Sequence, residues 1–147
     1  MSIQIVMLLP PEAASVSYAR RSLAGALKIA DVGPDCIYEA QVALSEACTN
    51  VINHVPDDQN FEVLINVGDE ELTMHILDAG TGFPPGYSLA DWPDEAAENG
   101  RGLALINAFT DQARFESDPH GGSVRLKKRL LWTADAGAPP QPGAESG

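Results

Sequence analysis

The stretch Ser45-Glu46-Ala47-Cys48-Thr49-Asn50-Val51-Ile52-Asn53-His54 carries two patterns at once. Leu44, Ala47 and Val51, with Ile37 and Ala40 upstream, recur at steps of three and four, the spacing of an amphipathic helix face. Glu46, Asn50, Asn53 and His54 stand at i, i+4, i+7 and i+8 and form a polar stripe on another side of the same helix. A lone Glu–Asn pair is an ordinary solvated face. Asparagine is only a moderate helix former, however, and two in one interior stripe point to a use for them. An asparagine oxygen is a hard ligand suited to Mg²⁺, and a neighbouring glutamate can accept a proton from an attacking hydroxyl.

Working outward, Pro34 in a first turn and acidic Asp35 start this helix, which the pattern carries to near Val55, before Pro56. Upstream, Val16, Ala19, Leu23, Ala26, Leu27 and Ala30 predict a helix from Glu12 to about Ala30, stopped by Asp31, Gly33 and Pro34. Ile3 to Leu9 reads as an opening strand. Downstream, the alternation of Phe61, Val63, Ile65 and Val67, then of Leu72, Met74 and Ile76, predicts a hairpin turning at Gly68-Asp69-Glu70. From Ala79 to about Asn99 the chain is Gly/Pro-rich, acidic and aperiodic, a length of loop that is uncommon unless functional or disordered. Gly100 to Thr110 predicts a third helix, Ala113 to Glu116 a short strand, and Val124, Leu126 and Leu130 a last strand after a turn at Gly121-Gly122. The expected architecture is α+β: a two-layer sandwich with helices on one face of a mixed, largely antiparallel sheet. Residues 1–133 form one domain, and 134–147, without a large apolar side chain, form a disordered tail.

The 147 residues fit one domain, large enough to fold without a disulfide or metal staple. With 21 acidic against 9 basic side chains the net charge is -12, the wrong sign for direct binding of nucleic acid or an anionic membrane. Cys36 and Cys48 lie on one helix, about 18 Å apart, beyond disulfide reach; free thiols and the absence of a basic leader point to the cytoplasm. His75 and His120 have no partner at zinc-ligand spacing. Arg125, Lys127, Lys128 and Arg129 read as a solvated basic run on the last strand, able to steer an acidic partner.

Two further motifs complete the pattern. Asp78-Ala79-Gly80-Thr81-Gly82 leaves a strand with a carboxylate able to accept from an exocyclic amine such as that of adenine, followed by glycines that admit close approach of a ligand. Gly100-Arg101-Gly102-Leu103 opens a helix, where peptide N–H groups and the positive helix end suit phosphates. In this order and spacing the three segments resemble the N, G1 and G2 boxes of the GHKL (Bergerat-fold) ATPase and kinase superfamily. Within it the chain looks most like the small bacterial anti-sigma factor serine kinases of partner-switching systems, a resemblance spanning roughly residues 3 to 132.

The resemblance implies ATP and Mg²⁺ as cofactors, Glu46 as general base and Asn50 as Mg²⁺ ligand. Asp78 would hydrogen-bond adenine, Gly80 and Gly82 line the base pocket, Gly100, Arg101 and Gly102 form the phosphate loop, Asn53 lie near the phosphates, and Ser123 stand where the family often has an adenine-holding threonine. Residues 83 to 99 match the mobile lid that closes over ATP. Ser17-Tyr18-Ala19-Arg20-Arg21 resembles the segment such kinases use to touch their sigma factor, making Arg20 the expected partner contact. The implied function is to sequester a sigma factor and phosphorylate a serine on a STAS-domain anti-anti-sigma antagonist, with homodimerisation common in the group. Two alternatives stay open: a non-catalytic module of the same fold that acts by binding only, and a detached histidine-kinase catalytic domain. In some relatives an arginine precedes the G2 glycines, whereas here Ala97-Glu98-Asn99 does.

Overall fold

The computed structural model describes residues 2–53, 55, 58–78, 101–118 and 121–133. In chain order these form β1 (Ile3–Leu9), α1 (Ala13–Ile29), α2 (Pro34–Ile52), β2 (Phe61–Val67), β3 (Glu71–Asp78), α3 (Arg101–Phe109), β4 (Gln112–Asp118) and β5 (Gly121–Arg129). The strands make one sheet in the order β1-β2-β3-β5-β4. Every pairing in it is antiparallel, which sharpens the expected mixed sheet. The expected tail, 134–147, and the expected lid lie outside the described residues.

Alternation along the strands decides which face the helices cover. Phe61, Val63, Ile65 and Val67 on β2, Leu72, Met74 and Ile76 on β3, and Val124 and Leu126 on β5 are buried in the layer between sheet and helices. One row of this layer, Ile5, Ile65, Met74, Leu126 and Ala113, crosses all five strands in register. From the helices come Ala19, Leu23 and Leu27 of α1 and Ile37, Ala40, Leu44, Ala47 and Val51 of α2. At roughly 25 cal/mol per Å² of apolar surface removed from water, this layer is the main favourable term in folding.

The turn between α1 and α2 shows why the first helix stops. Ala30 caps it, Asp31 adopts a left-handed φ of 62°, and the next N–H groups turn back, Asp31 to Lys28 O at 3.0 Å and Val32 to Leu27 O at 3.0 Å. This is the Schellman arrangement, with buried Val32 and Leu27 as its apolar contact. The end of the described chain is fastened to the same turn: Thr133 N and Oγ1 donate to Asp31 O at 2.7 and 2.8 Å, Gly33 N donates to Leu131 O at 2.8 Å, and Val32 pairs with Trp132. The second helix ends earlier than its apolar period suggests, at Ile52 with Asn53 as cap. Gly121 and Gly122, expected in a turn, are instead the first residues of β5, where Gly122 faces Asp78 across the ladder.

Candidate functional site

The connection from Asn53 to Asn60 delivers the C-terminal end of α2 to the start of β2, and Phe61 there is in register with Asp78 at the end of β3. With α2 packed on β3, the last turns of α2 and the last residue of β3 lie toward the same end of the helix–sheet layer. Asn50 and Asp78 are each 3% exposed, two of the few polar side chains buried among apolar ones. Asp78 occupies an inward position of β3, following Leu72, Met74 and Ile76 at steps of two.

Asn50 does not lie on a solvated stripe. It continues the buried row of Ala43 and Ala47, while Glu46 one turn earlier sits half-buried on the rim. Asn53 is the exposed helix cap, its N–H bonded to Thr49 O at 3.2 Å. The stripe is thus graded from interior to rim to solvent. The Nδ2 of Asn50 is buried and has no hydrogen-bond partner among the described residues. A buried amide left so is unfavourable by about 1–3 kcal/mol, and folding alone gives no return for it.

Ser123 is a correction to the expected site. Alternation along β5 turns Gly122, Val124, Leu126 and Lys128 inward, so Ser123 faces away from the helices, in register with Leu77. Its hydroxyl is on the opposite side of the sheet from the Asp78 carboxyl. The residue in register with Asp78 is Gly122, which brings backbone and no side chain. The basic run is corrected by the same parity: Arg125, Lys127 and Arg129 take the outer face, whereas Lys128 points inward at 7% exposure. Arg125 and Lys127 border a shallow groove of about 350 Å³ on that outer face, remote from Asp78.

Arg101 and Gly102 form the opening of α3. His54, Gly80, Gly82 and Gly100 lie outside the described residues. Arg20, half-buried, spans the seam between α1 and α2, donating to Ser45 Oγ and Ser17 Oγ at 3.4 Å each, while its carbonyl accepts from Gln41 Nε2 at 3.2 Å. Cys36 and Cys48 are both free and buried, and burial pushes the Cys48 thiol up to about 12, which makes it inert as a nucleophile. Among the described residues no group of three or more His, Cys, Asp and Glu side chains could hold a metal, and no helix is long and apolar enough to cross a membrane.

The site is thus set in an antiparallel sheet covered on one face by helices, with a buried carboxylate ending one strand and a buried asparagine on the adjoining helix. A model of the histidine kinase-like ATPase domain matches residues 9–128, and the chain belongs to that family. Among curated proteins it is similar to the serine-protein kinase RsbW of Bacillus cereus strain AH187, 29% identical over 137 residues that cover 86% of this chain and 85% of that one. The RsbW of Bacillus velezensis is 28% identical over the same length. In fold it matches a solved structure of the RsbU and RsbW domains of Rv1364c from Mycobacterium tuberculosis, with a TM-score of 0.66 and 19% identity. That match covers 87% of this chain and 32% of the longer one.

Proposed function

We propose that the chain is an ATP-binding anti-sigma factor that sequesters a sigma factor and phosphorylates a serine on a STAS-domain anti-anti-sigma antagonist. The observation that carries this reading is the pair of deeply buried polar side chains, Asn50 and Asp78, at one end of the sheet. The likeness to serine-protein kinases over most of the chain supports it. Asp78 receives the exocyclic amine of adenine, beside the backbone of Gly122, Gly80 and Gly82. The N–H groups opening α3 at Arg101 and Gly102, with Gly100 before them, take the phosphates, and Asn53 stands toward them from the end of α2.

The residues present fit Mg²⁺. The metal demands oxygen ligands, keeps several waters and is held by one or two protein groups plus phosphates, and Asn50 offers its amide oxygen, while its buried Nδ2, without a partner among the described residues, is a donor suited to a phosphate oxygen. When bound it neutralises charge on the phosphate oxygens. Glu46, one turn away on the rim, accepts the proton of the partner's serine hydroxyl in this reading. The seryl oxygen bonds to the γ-phosphorus as the bond to the β–γ bridging oxygen breaks; ADP leaves and the proton resides on Glu46. Arg20, held by two long hydroxyl bonds, is free to exchange them for a shorter charge-assisted bond to a partner's carboxylate.

The test is transfer of the labelled γ-phosphate of ATP to purified STAS-domain proteins, with Glu46→Ala beside wild type. The expected result is phosphoserine on an antagonist, a rate about 10²–10⁴-fold lower in the variant, and unchanged Mg-ATP binding. A normal rate in Glu46→Ala would remove the base assignment. Nucleotide binding with no transfer to any such protein would favour the module that acts by binding only.

A further inference from the structure

The only buried ammonium group among the described residues is at the opposite end of the layer from Asn50 and Asp78. Lys128 is in register with Leu72, near the start of β3, and its side chain enters the layer between sheet and helices. Its Nζ donates to Phe109 O, the last carbonyl of α3, at 2.8 Å, and to Glu39 Oε1 of α2 at 2.8 Å. One cation thus joins β5, α2 and α3. The joint is reinforced by Tyr38 of α2, set edge-on against Phe109 with ring centroids 6.4 Å apart, and by Thr110, whose N–H and Oγ1 both return to Ile106 O.

The lengths give this joint a reach. α3 has nine residues and is about 13 Å long, too short to hold itself together in water, so its placement depends on what it packs against. A cation at its C-terminal carbonyl is favourable to the helix dipole and fixes its axial position. Glu39 lies eleven residues before Asn50 on α2, about 16 Å away along the same axis. The clamp holds the C-terminus of α3 against the early turns of α2. The N-terminus of α3 and the later turns of α2, with Glu46 and Asn50, are the ends left to form the site.

We infer that Lys128 is a positioning residue for phosphate binding: through Phe109 O and Glu39 it sets the first turn of α3 relative to Glu46 and Asn50. This rests on the reading above that the opening of α3 takes the phosphates. Adenine recognition, which belongs to Asp78 at the end of β3, does not depend on the clamp. Removing it therefore weakens ligands that carry phosphates and leaves adenosine alone.

Two measurements on the full chain test this, each with wild type, Lys128→Met and the milder Glu39→Gln. The first is amide hydrogen exchange without nucleotide. Lys128→Met is expected to speed exchange along α3 by about tenfold relative to β2 and β3, and Glu39→Gln by about threefold on the same scale. The second is NMR titration with Mg-ATP and with adenosine. Lys128→Met is expected to weaken Mg-ATP by about tenfold while adenosine stays within about twofold; Glu39→Gln, which keeps an acceptor, follows in the same direction and decides the matter if the methionine variant does not fold. Unchanged exchange in α3, or equal losses for Mg-ATP and adenosine, would overturn the inference. If wild type binds adenosine but gains nothing from the phosphates, the phosphate role of α3 falls, and altered exchange in α3 would show the clamp to be structural only.

Discussion

At the Lys128 end of the sheet a buried ammonium makes two hydrogen bonds of 2.8 Å. At the Asp78 end Asn50 is buried as deeply, and its Nδ2 makes none among the described residues. The first end is also where α1 closes in its Schellman turn and where Thr133 is fastened to Asp31, so its polar groups are used up in holding the fold. The second end keeps an amide in reserve. A polar side chain buried for structure has its partner among the described residues, as Lys128 does, whereas one buried for a ligand is left without one there, as Asn50 Nδ2 is.

The strongest way to break this contrast is Asn50→Ala. If the amide serves a ligand, phosphoryl transfer falls by about 10²–10³-fold. Unfolding free energy stays within about 1 kcal/mol of wild type, because a buried donor without a partner is removed. The neighbouring Leu44→Ala, in the apolar core, lowers stability by about 2–5 kcal/mol. Chemical denaturation and a phosphorylation assay on the same samples check both halves. A large loss of stability in Asn50→Ala would place this asparagine with the structural polar groups.

The next effect in size sets Lys128 against its neighbour. Lys128→Met is expected to lower stability by about 1–3 kcal/mol, since Phe109 O and the half-buried Glu39 lose their donor. Lys127→Met on the outer face changes it by no more than about 0.5 kcal/mol. Equal effects in urea unfolding would mean that the inward turn of Lys128 carries no weight. Smallest is Asp31→Gly: glycine adopts the left-handed turn without a Cβ penalty, and a gain of about 0.5–1 kcal/mol with unchanged nucleotide affinity is expected from thermal melts and titration.

Periodicity was enough for the order of helices and strands, because the core is built from residues at clean steps of three to four and of two. The family was legible for the same reason, since the segments that carry the resemblance are local in sequence. What escaped was parity and register. Ser123 was placed by motif, yet counting back from Val124 and Leu126 puts Gly122, not Ser123, on the face of Asp78. By residue type Lys128 belongs to a solvated basic run, but by position it stands two residues after inward Leu126. Its partners, Glu39 and Phe109 O, are 89 and 19 residues away, and nothing local announces them. The burial of Asn50 escapes the pattern because the apolar arc of the helix is wider than the Leu44, Ala47 and Val51 row suggests, extended by Ala43 and Cys48.

The central claim is that the end of the layer holding Asn50 and Asp78 is a nucleotide site. Calorimetric titration of Mg-ATP into wild type and Asp78→Asn tests it without any partner protein. Binding in wild type, weakened about 10- to 100-fold in the variant as a charge-assisted contact to adenine is lost, is the predicted result. No heat of binding in wild type, or equal affinity in both proteins, would contradict it.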